Sequence, residues 1–369
     1  MQPAQRILIV QPSWVGDAVM ATPTLRALRS AFPTAHISYL LRRYVKPLYG
    51  GMPWADQLIT YRTGKGPSKT GKGLFGIARR LRAGNFDLAV LLPNSFKTAL
   101  LCKMAKIPRV VGYDRDGRGF LLTDKLLPVK EKGKFVPVPL VKTYLGLAHY
   151  IGATERDLRM ELFVTESEAR DAGEVLRRCG LPPELFRPAF SGGEPLVLLN
   201  PGAQYGAAKC WRPEYFAELA DRLIEEMHAT VLISAAPKER PIVDAIKQYM
   251  RRTPIDLSLH GMTLGSLKEI VRRCDLMITN DTGPRHIAAA LNVPVITLFG
   301  PTHPEWTEIY YPRERQLAVK VFCGPCQKKV CPLDHRCMKL LTPAMVFDAA
   351  THLLESNPKS PEPPPTLPV

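Results

Sequence analysis

At 369 residues the chain is long for one hydrophobic core, which stops growing near roughly 250 residues, so two domains are expected. A composition of 46% hydrophobic and 23% charged residues excludes a wholly disordered chain, and a formal charge of +16 points to polyanionic partners: nucleotides, nucleic acid, phosphorylated lipid or an anionic membrane face. No run approaches the roughly 20 apolar residues of a membrane span, and the first residues enter a strand pattern rather than a signal peptide, which sets the expectation of a cytoplasmic protein.

The apolar run at 6–10 reads as a strand, residues 11–17 as a turn, and 18–32 as a helix by its apolar spacing. Strands follow at 36–41, 57–61 and 86–93, with helical patterns at 76–84 and 95–107. Glycine and lysine crowd 62–76, which reads as a basic loop. Residues 165–180 form a capped amphipathic helix ending at Gly180, and the Pro/Gly/Ser-rich stretch 181–195 reads as a hinge. The alternation then restarts, with strands at 196–200, 230–235, 276–280 and 293–300 and helices at 213–227, 238–250, 266–274 and 283–291. Strands alternating with helices imply parallel sheets and an α/β fold of two doubly wound Rossmann-like domains. We divide the chain into a domain over 1–165, a second over 166–357, and a proline-rich tail over 358–369 with six prolines. Two such domains are expected to face each other across a cleft at the carboxyl ends of their strands.

Chemistry is sought where strands end. Asp17 follows the first strand directly, next to Gly16, and two roles are open to it: capping the following helix, or accepting a proton at the strand end. Lys209 follows the strand at 196–200 and a glycine-bearing loop; it is either a surface lysine or a cation for a diphosphate. Asn280, Asp281, Thr282 and Gly283 join a strand to a helix whose first amides form an anion site, with His286 one turn further in. The alternative is that Asp281 caps that helix and His286 packs.

These segments in order, 6–28, 93–101, 200–211, 280–291 and 298–307, resemble the ADP-heptose:lipopolysaccharide heptosyltransferases of glycosyltransferase family 9, most closely the heptosyltransferase II branch. The resemblance covers the chain apart from the proline tail. It implies a GT-B fold, a metal-independent inverting transfer from ADP-heptose to the inner core of lipopolysaccharide, and no cofactor for catalysis. It further implies Asp17 as general base, Lys209 as the phosphate-binding lysine, and Asp281, Thr282, Gly283 and His286 as the nucleotide-sugar motif. Glu239, Met262 and Gln204 fall where it expects contacts to the nucleotide. Lys97, Arg42 and Arg43 are assigned to the acceptor. The acceptor implies peripheral association with the inner membrane, toward which the basic residues of the first half, Arg115 and Arg118 among them, would turn.

Cys323, Cys326, Cys331 and Cys337, with His335 among them, have a density that fits a structural zinc or an iron–sulfur site, while free thiols or a disulfide remain open. Two other functions are weighed: a related transferase using another nucleotide sugar or acceptor, and a nucleic-acid-binding protein with a zinc knuckle. Against the second, the basic residues are dispersed and no aromatic platform for bases is apparent.

Overall fold

The computed structural model describes residues 4–61, 73–181 and 193–355. Most of the basic loop, most of the hinge stretch and the proline tail lie outside the described residues.

Contacts divide the chain into two units, one within Met1–Met160 with Glu305–Ile309, the other within Glu161–Pro304 with Tyr310–Val369. In the first, β1 (Arg6–Val10), β2 (His36–Arg42), β3 (Gln57–Tyr61), β4 (Leu88–Leu91), β5 (Arg109–Tyr113) and β6 (Asp124–Leu126) form one sheet in the order β3-β2-β1-β4-β5-β6, parallel throughout. Ile7 to Val10 are fully buried, as expected of a strand covered on both faces. Helices α1 (Val15–Met20), α2 (Thr22–Ala31), α3 (Leu74–Ala83), α4 (Phe96–Met104) and α5 (Leu140–Tyr150) accompany the sheet. The single helix expected over 18–32 is two, because Pro23 sits in the first turn of α2 and has no N–H to continue the α1 ladder. A two-stranded hairpin, β7 (Lys130–Glu131) and β8 (Lys134–Phe135), precedes α5.

The second unit opens with α6 (Glu166–Arg178), whose start is fixed by a capping box between Thr165 and Glu168. Its sheet contains β9 (Leu196–Asn200), β10 (Thr230–Ile233), β11 (Ile255–Asp256), β12 (Leu276–Asn280), β13 (Val295–Phe299) and β14 (Glu314–Ala318), again all parallel, in the order β11-β10-β9-β12-β13-β14. The helices are α7 (Pro213–Met227), α8 (Arg240–Tyr249), α9 (Leu264–Arg273), α10 (Gly283–Ala290), α11 (Arg336–Lys339) and α12 (Pro343–Glu355). Leu199, Ile233 and Ile278 of the sheet pack with Phe216 and Leu223 of α7 and Val346 of α12 in one core. Trp211 is buried among them, and its indole N–H donates to the Leu341 carbonyl at 2.7 Å.

Both sheets therefore have the strand order of a dinucleotide-binding fold, which reverses direction between β1 and β4 in one unit and between β9 and β12 in the other. Ligands of such sheets bind outside the carboxyl ends of the strands at this reversal. Among the described residues no helix is long and apolar enough to cross a membrane.

Candidate functional site

At the reversal in the second unit, the loop after β9 and the loop after β12 are bound together. Asn280, the last residue of β12, donates from its amide to the Pro201 carbonyl at 2.6 Å and accepts from the Trp211 amide at 3.1 Å. Lys209 then reaches across. Its ammonium donates to the Asp281 carboxylate at 2.5 Å and to the Asp281 carbonyl at 3.0 Å. Thr302 donates to the same carboxylate at 2.8 Å, and Arg285, i+4 on α10, lies 3.5 Å from its other oxygen.

Asp281 is 4% exposed. Burial pushes its carboxyl upward, but the charges of Lys209 and Arg285 and the hydrogen bonds from Lys209 and Thr302 outweigh it and hold the group below the usual carboxylate range. Asp281 is not the cap of α10. The cap position belongs to Thr282, which makes no side-chain capping bond, and Pro284 supplies the fixed backbone angle of the first turn. Thr282 and Gly283 are partly exposed at the start of α10, while the residues behind them, from Arg285 on, are buried.

One feature here is absent from the sequence reading. Arg285, fully buried, forms a fork with the Glu314 carboxylate of β14, and Thr297 donates to Glu314 at 2.6 Å. Lys209 and Arg285 are thus matched by Asp281 and Glu314, and the site is charge-balanced rather than purely cationic. The i+4 spacing of Asp281 and Arg285 was available in the sequence; the partner 29 residues on was not. His286 is 2% exposed, its Nδ1 is buried without a hydrogen-bond partner among the described residues, and its pKa is driven down to about 3 by burial and then by Arg285. It is a neutral ring at physiological pH.

Glu239 approaches the same loop from the end of β10. Its carboxylate accepts from the Ala236 amide at 3.0 Å and lies against Gly202, where a Cβ would overlap it. Gln204 is exposed on the loop after β9, and Met262 is half-exposed just before the Thr263 cap of α9.

The cysteine-rich stretch braces this loop. The Tyr205 hydroxyl donates to the Gln327 carbonyl at 2.8 Å, the Ala208 amide to the Lys329 carbonyl at 3.0 Å, and His335 Nε2 lies 2.7 Å from the Ala208 carbonyl. Cys323, Cys326, Cys331 and Cys337 line one small pocket together with His335 and are all free thiols. The metal expectation is not supported: among the described residues no three His, Cys, Asp or Glu side chains are arranged to hold a metal ion. His335 is turned to a backbone carbonyl, and Cys337 is buried on α11 with its thiol raised chiefly by that burial.

In the first unit the reversal carries different groups. Asp17 lies in the first turn of α1, half-buried, and the cap position is Trp14 with no side-chain capping bond. Burial raises the phenols of Tyr44, Tyr49 and Tyr144, and the charge of Asp17 adds to each, so the carboxylate lies within electrostatic reach of three tyrosines. Tyr49 donates to Gln11 at 3.1 Å. Arg42 ends β2, with its Nε buried and without a partner among the described residues, and it also acts on the Tyr44 phenol. Arg43 and Lys97 are exposed, Lys97 in the first turn of α4.

Arg118 corrects the sequence reading, which counted it among outward-facing charges. It is fully buried, donates to the carbonyls of Pro93 and Tyr113, and reaches the Asn94 side chain at 3.0 Å. Burial lowers its pKa to about 10. It pins the loop between β4 and α4, just before the helix whose first turn carries Lys97.

Two Rossmann-order parallel sheets, each with polar groups at its strand reversal, define the class: a two-unit α/β protein of the nucleotide-binding kind. The family described as Glycosyltransferase family 9 (heptosyltransferase) matches residues 74–336. The chain is 32% identical to lipooligosaccharide heptosyltransferase 2 of Haemophilus influenzae, over 82% of this chain and 85% of that protein. It is also 32% identical to lipopolysaccharide heptosyltransferase 2 of Escherichia coli, over 82% and 84%. Its structure is similar to that of a glycosyl transferase family 9 protein from Veillonella parvula, with TM-score 0.80 at 23% identity, covering 96% of this chain and 98% of that one. It is also similar to E. coli ADP-heptose lps heptosyltransferase II, with TM-score 0.74 at 27% identity, covering 95% and 99%. The chain belongs to glycosyltransferase family 9.

Proposed function

We propose that the chain transfers heptose from ADP-heptose to the inner core of lipopolysaccharide, with inversion at the anomeric carbon and without a catalytic metal. The observation that carries this reading is the Lys209–Asp281 pair beside the opening amides of α10, at the strand reversal of the second unit. Lys209 is held in place by Asp281, and the first amides of α10 would add further donors, so a diphosphate would meet a site already built for it. Glu239 would take the ribose, and Gln204 and Met262 would contact the nucleotide. His286, neutral and buried, would shape the floor of the site and not supply charge.

Asp17 is the general base of this reading. An acceptor hydroxyl gives its proton to the Asp17 carboxylate as its oxygen bonds to the anomeric carbon; the bond from that carbon to the diphosphate breaks, and ADP leaves with the electron pair. Arg42, Arg43 and Lys97 would hold anionic groups of the acceptor, which is borne on a membrane, so the protein would work at the cytoplasmic face of the inner membrane.

The test combines ligand-induced melting shifts with mass spectrometry of the product formed from ADP-heptose and a truncated lipopolysaccharide core, in chelator. Stabilisation by ADP and a mass gain of one heptose are expected. Stabilisation by UDP or GDP instead would move the reading to another nucleotide sugar, and failure of transfer in chelator would remove metal independence.

A further inference from the structure

The β7–β8 hairpin of the first unit takes no part in either strand reversal. Lys132 and Gly133 join its strands, both with positive φ (48° and 79°), the geometry of a two-residue hairpin turn. Val136 donates to the Val129 carbonyl at 3.1 Å and extends the pairing by one bond. A two-stranded ribbon is marginal in water without a surface to pack on. Leading into the hairpin the chain turns apolar side chains outward: Leu127 is 75% exposed and Val129 56%, as is Phe120, at 74%, before β6.

Charge and contiguity give this surface a character. Between 125 and 135 the chain carries Lys125, Lys130, Lys132 and Lys134 against Glu131 alone, all exposed. Lys125 lies 3.9 Å from Asp114, and Asp124 is engaged by Arg109. Phe135 anchors the hairpin, with the Arg115 guanidinium 4.0 Å and the Lys130 ammonium 4.9 Å from its ring centre. Phe120 stands five residues beyond Arg115, its ring 6.0 Å from that of Phe96. Pro128, Pro137 and Pro139 flank the hairpin and offer no N–H, which disfavours pairing of its edges with a second copy.

We propose that the segment from Phe120 to Phe135 is a membrane-docking surface that takes an anionic phospholipid bilayer. Leu127, Val129 and Phe120 enter the boundary between headgroups and acyl chains, while the lysines lay their stems along it and place their ammonium groups at lipid phosphates. A soluble polyanion would use the lysines alone; only a bilayer also uses the outward leucine and valine. The inference rests on the membrane-surface part of the function proposed above and assigns residues to it.

The full chain is sedimented with phosphatidylcholine vesicles with and without about one third phosphatidylglycerol. The variants are Leu127→Ser with Val129→Ser, and Lys130→Gln with Lys132→Gln and Lys134→Gln. The wild type should bind the anionic vesicles and bind less as salt rises. Each variant should need on the order of tenfold more lipid for half-binding, while melting as the wild type does and transferring to a short soluble acceptor at the wild-type rate. In Val129→Trp, the emission should shift to shorter wavelength when vesicles are added. No preference of the wild type for anionic vesicles would overturn the proposal, as would loss of binding in the lysine variant alone, which marks a polyanion site. Failure of the wild type to transfer to the soluble acceptor would strike at the proposed function and leave the docking surface standing.

Discussion

The two units have the same strand order and place their polar groups at the same topological position, yet the chemistry there differs. In the second unit the groups are buried, paired and charge-balanced: Lys209, Asp281, Arg285 and Glu314 hold one another in fixed geometry. In the first unit a half-buried carboxylate, Asp17, lies within electrostatic reach of the Tyr44, Tyr49 and Tyr144 phenols. One arrangement fixes donors in place, which suits binding an anion. The other leaves a carboxylate partly solvated, which suits moving a proton. A shared fold sets where chemistry can happen; the burial of each charge sets what kind.

If this contrast is right, removing a charge should do different things in the two units. The largest effect is expected from Lys209→Met. It leaves Asp281 buried with one cation fewer and should cost about 3 kcal/mol of stability, together with most of the affinity for ADP. Denaturant unfolding and calorimetry with ADP measure both; a variant with wild-type stability and affinity would end the contrast. Asp17→Asn should leave the stability and ADP affinity as they are and lower transfer by on the order of 100-fold or more. Unchanged turnover in a purified assay would take Asp17 out of its role.

The third effect depends on pH. His286 titrates near 6.5 when unfolded and near 3 when folded, so the unfolded chain binds the extra proton. The stability it allows is fully present above pH ~6.5 and declines as pH falls toward 3, by roughly 2 kcal/mol between pH 7 and 5. The depressed carboxyl of Asp281 acts in the same direction but only below its ordinary carboxylate range, so the window from pH 7 to 5 isolates the histidine. His286→Asn should flatten the dependence of unfolding free energy on pH in that window; an unchanged slope would show that the ring is not the source. The smallest effect is Gly202→Ala, where the new methyl displaces the Glu239 carboxylate. Losing about one hydrogen bond to the nucleotide should weaken ADP by roughly fivefold, with little change in melting.

How much of this was legible in the sequence follows from burial. Strands β1, β4, β9, β12 and β13 are covered on both faces and read as apolar runs, and the residues placed at their carboxyl ends, Lys209 and Asp281 above all, are brought together there. Strands β6, β11 and β14 escaped notice because they are short or half-exposed, and β5 because its buried centre offers only two apolar residues, Val110 and Val111, before Gly112, so neither an apolar run nor a clean alternation marks them. The Arg285–Glu314 fork and the buried Arg118 were hidden for another reason. Nothing local distinguishes an arginine that faces water from one enclosed by distant backbone carbonyls.

The brace on the Lys209 loop is made by main-chain oxygens of Gln327 and Lys329 and by the His335 ring. A segment that acts through its carbonyls tolerates changes in the side chains it displays but not in its length. Within 323–337, exchange of thiols for other small residues should be forgiven more readily than a one-residue insertion or deletion, which would carry both carbonyls out of step with their donors and release the lysine from behind.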